Sequence, residues 1–120
     1  MQYWLLSGTP ENWEIALEKG IWGVSEKAKG LWNKIREGDV VVFYATGKKG
    51  ILGYGRVVEK YRDETPLWPR EKEEGRCLWP LKIKFKVERI FKEPKPRPKD
   101  VFVAFAINKL TQEKFNQILK

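Results

Sequence analysis

Residues 40–61 read VVVFYATGKKGILGYGRVVEKY, and they decide the fold. VVVFY (40–44) is a β-branched and aromatic run, the composition that packs on a pleated, buried surface. ATGKKG (45–50) is built of turn formers, and ILGYGRVVEKY (51–61) returns as a second strand. Two such runs joined by a short glycine-containing loop form a hairpin, which puts an antiparallel sheet at the centre of the chain. Gly53 and Gly55 lie two apart, on one face of the returning strand. Glycine inside a strand marks a bend, a bulge or a close approach by another group. A tightly coiled barrel strand explains the pair, and room for a ligand is the competing explanation.

Toward the N-terminus, YWLLS (3–7) reads as a short buried strand. Thr9-Pro10 then combines a hydroxyl cap with proline at a first helical position. Trp13, Ala16 and Leu17 follow on one face, and Gly20 ends that helix. Trp22 falls in what reads as a short connection, GIWGVS. Ser25 can cap a second helix whose face is Ala28, Leu31, Trp32 and Ile35, and Gly38-Asp39 is a turn.

Toward the C-terminus, RDETPLWPREKEEGR (62–76) has two prolines and Trp68 in charged surroundings and reads as an irregular loop. In LKIKFKVERIF (81–91) the pattern alternates. Leu81, Ile83, Phe85 and Val87 are expected to face inward, and Lys82, Lys84 and Lys86 outward. Adjacent Ile90 and Phe91 break that alternation after Glu88 and predict a bulge. KEPKPRPKD (92–100) is expected to be a basic turn and VFVAFAI (101–107) a last strand. Leu110 and Phe115 then bracket a Thr111 cap, with Phe115, Ile118 and Leu119 as the inner face of a final helix. The order β-α-α-β-β-β-β-α predicts an α+β domain: a small antiparallel sheet or barrel with helices at its ends.

Composition narrows the chemistry. A chain of 120 residues suits one domain. No apolar run approaches the ~20 residues of a membrane span, and MQYWLLSGTPENW lacks the basic start of a secretory signal. The expectation is a cytoplasmic protein with no membrane partner. The lone Cys77 excludes an internal disulfide, and the absence of histidine excludes Ser-His-Asp and Cys-His hydrolases. Zinc sites lean on both residue types, so no metal and no cofactor are expected. Net charge is +8, with 9 basic and 7 acidic groups in residues 1–60 but 15 and 9 in residues 61–120. That imbalance points to an anionic partner, nucleic acid first. Abundant Lys and Glu with few Gln also fit a heat-adapted protein.

Six tryptophans are present. Trp4, Trp13 and Trp32 stand at core spacing, and Trp79, beside Pro80 at a strand entry, reads as packing. Trp22 and Trp68 fall in connections, where each is either a plug over a barrel end or a stacking surface. Two such rings facing each other form an aromatic clamp for a flat ring or a methylated group.

The stretches YWLLSGTPENW, GIWGVS, IREGDVVVFYATG, GILGYGRVVEKYRD and PLWP, in this order, resemble the EVE domain of the PUA-like superfamily, whose relatives are PUA, ASCH and YTH domains. The chain is also similar to an archaeal group of stand-alone EVE proteins. The resemblance implies a single domain over residues 1–120. Its fold would be a mixed, mainly antiparallel five- or six-stranded pseudo-barrel with helices at the rim.

The resemblance also implies a non-catalytic nucleic-acid-binding module, RNA before DNA, holding a possibly modified base in an aromatic pocket. Its base-binding positions fall on Ser7, Asn12, Trp22 and Trp68, and Gly23 would let the backbone approach the base closely and offer it an N–H or C=O. Asp63 would add an acceptor or cap the turn before Trp68. Trp22 and Trp68 would stack on or flank the ring, while Ser7 and Asn12 satisfy its polar edge. Gly8 and Gly23 depart from the YTH pattern. Lys82, Lys84, Lys86 and Arg89, with Lys95 and Arg97 of the KPRPK tail, would hold phosphates; a lysine-guarded edge strand explains the same stripe. The alternatives are a small-molecule or free-nucleoside binder, or an ASCH-like amidohydrolase acting on a modified nucleoside. No Lys, Thr and Glu stand at a defined spacing, so no residue is assigned a catalytic role.

Overall fold

A computed structural model of the chain describes residues 1–47 and 49–120; Lys48, in the expected hairpin loop, lies outside the described residues. The elements are β1 (Tyr3–Gly8), α1 (Pro10–Lys19), β2 (Ile21–Val24), a 3-10 turn (Glu26–Ala28), α2 (Lys29–Lys34), β3 (Val40–Ala45), β4 (Gly50–Arg62), α3 (Pro69–Glu74), β5 (Leu81–Lys95), β6 (Ile107–Leu110) and α4 (Gln112–Leu119). The six strands form one curled sheet in the order β2-β5-β4-β3-β1-β6. Only β1 and β3 run parallel; every other neighbouring pair is antiparallel. This fits the mixed, mainly antiparallel five- or six-stranded pseudo-barrel with rim helices that the resemblance implies, with six strands.

The unbroken apolar runs at 3–6 and 40–43 have a structural reason. β1 and β3 sit side by side in the sheet with both faces covered, so every position must be apolar. Trp4, Leu6, Val41 and Phe43 enter one core with Trp13, Trp22, Trp68 and Phe85. Leu5, Val40 and Val42 enter a second core, closed by Phe91, Phe115 and Ile118. Pairing β1 parallel to β3 requires a long crossover, which α1, β2 and α2 supply.

Local signals are confirmed at the ends of α1 and the start of α4, whereas Ser25 precedes the 3-10 turn without a side-chain cap bond and α2 starts only at Lys29. Thr9 accepts from the Asn12 N–H and Thr111 from the Lys114 N–H, at 3.2 and 3.1 Å, and Gly20 closes α1 in the left-handed region. The Gly38-Asp39 turn carries a buried carboxylate. Asp39 accepts from the Gln2 N–H, the Gln2 amide, the Trp4 indole and the Arg36 N–H, tying the chain start to β3. Burial raises its pKa, but these four donors outweigh burial and hold it low. The Gly53–Gly55 pair marks a bend: Cβ atoms there would lie 2.1 and 2.4 Å from the Arg89 and Lys86 carbonyl oxygens of β5. The bulge expected after Glu88 is present, since Tyr54 faces Arg89 while Gly55 faces Val87.

Five expectations are corrected. Trp22 is in strand β2, not a connection; IWGV pairs with Lys84 to Leu81 of β5. Segment 62–76 contains α3, started by Pro69 and closed by Gly75. β5 runs on to Lys95, through much of the expected basic turn. Residues 101–106 form no strand: the Ala106 carbonyl still accepts from the Ser7 N–H, but β1 ends at Gly8 and does not extend alongside the rest, so β6 begins at Ile107. Lys82 does not face water. It is 2% exposed, because the chain from Trp68 to Trp79 folds over this end of β5, whereas Lys84 and Lys86 lie beyond that cover.

Candidate functional site

Four indoles pack in succession. Trp13 and Trp22 are stacked, with centroids 3.8 Å apart and planes 7° from parallel. Trp22 meets Trp68 edge-on at 5.9 Å and 73°. Trp68 meets Trp79 edge-on at 5.8 Å and 87°. The two edge-on contacts suit the ring quadrupoles. They also correct the expected clamp: Trp22 gives one face to Trp13, and no slot for a sandwiched ring lies between Trp22 and Trp68. Both rings are core residues, 4% and 1% exposed.

The open space lies beside these rings. A cavity of about 150 Å³ is walled by Trp22, Gly23, Trp68 and Trp79 on the indole side. Ser7, Gly8, Thr9 and Asn12 wall it from the end of β1 and the start of α1, and Val24, Ser25 and Ala106 close it. That volume is about five times the ~30 Å³ that a water occupies in the liquid. It lies below the roughly 300–1,000 Å³ of sites for larger ligands. Its size suits a single heterocycle that flanks the rings.

Two glycines let the wall form. A Cβ on Gly8 would lie 2.2 Å from the Trp22 ring. One on Gly23 would lie 2.8 Å from both the Trp68 ring and the Trp79 carbonyl. Gly23, expected to admit a ligand's close approach, therefore admits Trp68.

Donor bookkeeping singles out Trp22. The Trp13 and Trp68 indoles donate to the carbonyl oxygens of Tyr44 and Asn12, at 2.9 and 3.1 Å. The Trp22 Nε1–H is buried without a partner, alone among the side-chain polar atoms of the described residues. Leaving such a donor unmet costs about 1–3 kcal/mol. Ser7 lines the cavity, with its hydroxyl donating to the Phe105 carbonyl at 3.0 Å.

Sequence reasoning missed the residue that sets the outer wall. Glu71 is fully buried, and its carboxylate accepts from the backbone N–H groups of Leu67, Trp68, Leu78 and Trp79 at 2.7–3.2 Å. One side chain thus pins both segments that carry the outer indoles. Burial pushes its pKa up, but those donors, with the Cys77 thiol, overcome burial and hold it at about 2. The signal was present in TPLWPRE: a proline at N1 and a glutamate at N3, the second half of a capping box. Trp79, read as packing, and Ser25 and Ala106 also belong to the cavity.

Of the residues expected to bind a base, Ser7, Asn12, Trp22, Gly23 and Trp68 converge on this cavity. Asp63 does not. It is exposed, accepts from the Thr65 N–H at 2.9 Å, and lines a separate hollow of about 360 Å³ with Lys19, Tyr61 and Lys82. It caps the turn, because the loop leads away from the cavity before Trp68 returns.

Among residues expected to bind phosphate, Lys84, Lys86 and Arg89 are exposed. Salt bridges among the described residues engage Arg56, Arg62, Arg70 and Arg76 instead. Lys84 and Lys86 follow Lys82 along β5, and Lys82 pairs with Gly23 of the cavity. Lys95 is occupied at the end of α4, donating to the Ile118, Leu119 and Lys120 carbonyls. Arg97 donates to the Val101 carbonyl. Lys82 donates to the Trp79 carbonyl at 2.6 Å, with its amine 4.7 Å from the Trp68 centroid. Burial lowers its pKa against the nearby charges that raise it. It braces the wall and is withdrawn from phosphate. Among the described residues, no group of His, Cys, Asp and Glu could hold a metal ion, and no helix is long and apolar enough to cross a membrane.

Comparison with known proteins gives a consistent set of relatives. The sequence model of the EVE domain matches residues 2–120. An uncharacterised protein of Methanocaldococcus jannaschii is 30% identical over 138 residues, covering 100% of this chain and 89% of that one. A UPF0310 protein of Pyrococcus abyssi is 34% identical over 77 residues, 57% of this chain; the match spans about half, 54%, of that relative. Among solved structures, human THYN1 in complex with DNA containing 5-methylcytosine superposes with a TM-score of 0.69, at 19% identity, over 99% of this chain and 96% of that one. The Toxoplasma CPSF4 YTH domain, in complex with a 7-mer m6A-modified RNA, gives 0.59 at 16% identity over 78% and 64% of the two chains. An ASCH protein variant from Zymomonas mobilis gives 0.71 at 10% identity over 99% and 97%.

Proposed function

The chain belongs to the EVE-domain family, and on that premise we propose that it is a non-catalytic nucleic-acid-binding module whose indole-walled cavity takes one modified base. The observation that carries the reading is the unpartnered Trp22 Nε1–H, buried in a ring that lines a cavity of single-heterocycle size. An acceptor on the inserted base relieves that donor, and Ser7, Thr9, Asn12 and Ser25 supply further polar contacts. The indole faces exclude water from an added methyl group. Two structural neighbours were solved with methylated nucleic acid, one DNA and one RNA, which supports the class of ligand. RNA is the polymer we put first. Lys84, Lys86 and Arg89 contact phosphates and add affinity without sequence information.

Trp22→Ala and Trp68→Ala are poor tests, because truncating a core tryptophan costs about 3–5 kcal/mol of stability. Ala106 is exposed at the cavity wall, so Ala106→Trp plugs the cavity and spares the core. Calorimetric titration with 5-methylcytidine and N6-methyladenosine monophosphates, their unmodified parents, and RNA and DNA pentamers carrying each base decides the matter. The expected result is tighter binding of a modified form, abolished by Ala106→Trp at an unchanged melting temperature. Equal binding by the plugged and wild-type proteins would overturn the assignment.

A further inference from the structure

Residues 101–106 carry two phenylalanines that the core does not use. Phe102 is 74% exposed and Phe105 69%, more than other large apolar side chains except Met1 among the described residues. A lone exposed ring needs no explanation, but Phe105 lines an apolar groove, and that pairing marks a binding surface. Phe105 also stands on a fixed backbone. Its N–H donates to Asn108 Oδ1 at 3.1 Å. Its carbonyl accepts from Asn108 Nδ2 at 2.6 Å and from the Ser7 hydroxyl at 3.0 Å. The next carbonyl, of Ala106, accepts from the Ser7 N–H at 3.0 Å. Asn108 is itself 8% exposed and anchored in β6. The ring is therefore displayed in water on a backbone fixed by a residue of the candidate cavity, Ser7.

A groove of about 410 Å³ runs beside it, floored by Ala28, Leu31 and Ile107 and edged by Phe105 and Lys27. The groove and the cavity share Ser25 and Ala106 in their linings, so they lie side by side. Lys27 is the charged residue of the groove lining, and no carboxylate lines it.

We propose that Phe105 and this groove hold the nucleotide next to the inserted base, with the neighbouring base stacked on the Phe105 ring and its phosphate facing Lys27. The proposal rests on the base-binding reading of the cavity and extends it: the ligand is a single-stranded segment of at least two nucleotides, not a free nucleoside. Adjacency to the cavity and the positive charge of Lys27 select this occupant. An aromatic face stacks on any base, so the groove contributes affinity with little sequence preference.

The test compares 5-methylcytidine and N6-methyladenosine monophosphates with single-stranded RNA and DNA pentamers that carry the same bases centrally. Wild type, Phe105→Ala and Phe105→Trp are titrated. The ring packs against nothing in the core, so all three should melt alike. The expected result is unchanged mononucleotide affinity in all three, a pentamer affinity about 5- to 150-fold weaker in Phe105→Ala, and recovery in Phe105→Trp. Equal loss for mononucleotide and pentamer, or no loss for either, overturns the proposal while leaving the cavity reading intact. A wild type that self-associates as a dimer that Phe105→Ala abolishes, with pentamer affinity unchanged, assigns the groove to a second copy and also overturns it. Failure of every mononucleotide and every pentamer to bind is the failure of the cavity reading, and this inference falls with it.

Discussion

Glu71 shows how much one residue can decide. Its two oxygens hold four backbone donors from both sides of α3, and through them the positions of Trp68 and Trp79. Glutamine at that position keeps the shape but brings donors to face donors. Glu71→Gln should cost about 2 kcal/mol or more at neutral pH, lowering the melting temperature by about 10 °C in a domain of this size. The folded pKa, about 2, lies below the ordinary 4.5. The carboxylate therefore contributes its full stability above about pH 4.5 and loses it as pH falls toward 2. Melting curves across that window should show the gap between wild type and Glu71→Gln narrowing with acid. A gap independent of pH would mean that the charge does not hold the wall. Lys82 illustrates the complementary limit of reading single residues. Alternation correctly says which face of β5 it occupies, but only the tertiary fold says that Trp68 and Trp79 cover that face.

At the scale of elements, the legible parts were those whose sequence answers a local physical demand. The runs at 3–6 and 40–43 are apolar at every position because both faces are buried. Thr9-Pro10, Gly20 and Thr111 punctuate helices with their own hydrogen bonds or dihedrals. Elements that depend on distant partners were not legible. β2 is four residues long, contains a glycine, and exists because β5 passes beside it. VFVAFA has strand composition, but beyond the Ala106 carbonyl, which accepts from Ser7, it has no strand to pair with because β1 ends at Gly8. α3 is six residues of charged sequence held in place by a buried glutamate. In the site, five of the six candidates reached from the loop-like tryptophans and the family resemblance line one cavity, whereas the edge-on ring geometry and the roles of Glu71 and Asn108 needed the fold. The segment 101–106 makes a prediction of its own. Asn108→Ala removes the acceptor of the Ala104 and Phe105 N–H groups. Amide hydrogen exchange at these two residues should accelerate while the β1–β3 amides stay protected. Unchanged protection at Ala104 and Phe105 would show that the segment is held by something else.

For the whole molecule, a net charge of +8 becomes informative once the basic groups are sorted by what they already do. Lys82, Lys95 and Arg97 are committed to protein carbonyls, while Lys84, Lys86 and Arg89 face water along β5. The log–log dependence of pentamer affinity on salt should fall by roughly 0.7 in slope for each phosphate of a single strand that the protein no longer neutralises. Lys84→Gln with Lys86→Gln should lower it by about 1.4 and affect modified and unmodified pentamers alike. A slope that stays at the wild-type value would mean that this face of β5 guards a sheet edge and touches no phosphate.

The most direct measurement is the indole N–H spectrum of the ¹⁵N-labelled protein during titration with 5-methylcytidine and N6-methyladenosine monophosphates. Trp4, Trp13, Trp32 and Trp68 donate to protein acceptors, and Trp22 is buried without one. Binding of a base in the cavity should move the Trp22 indole resonance saturably and furthest downfield of these five, as it gains an acceptor. A Trp22 resonance that stays fixed through every titration, or while a bound nucleotide perturbs other tryptophans, would contradict the account.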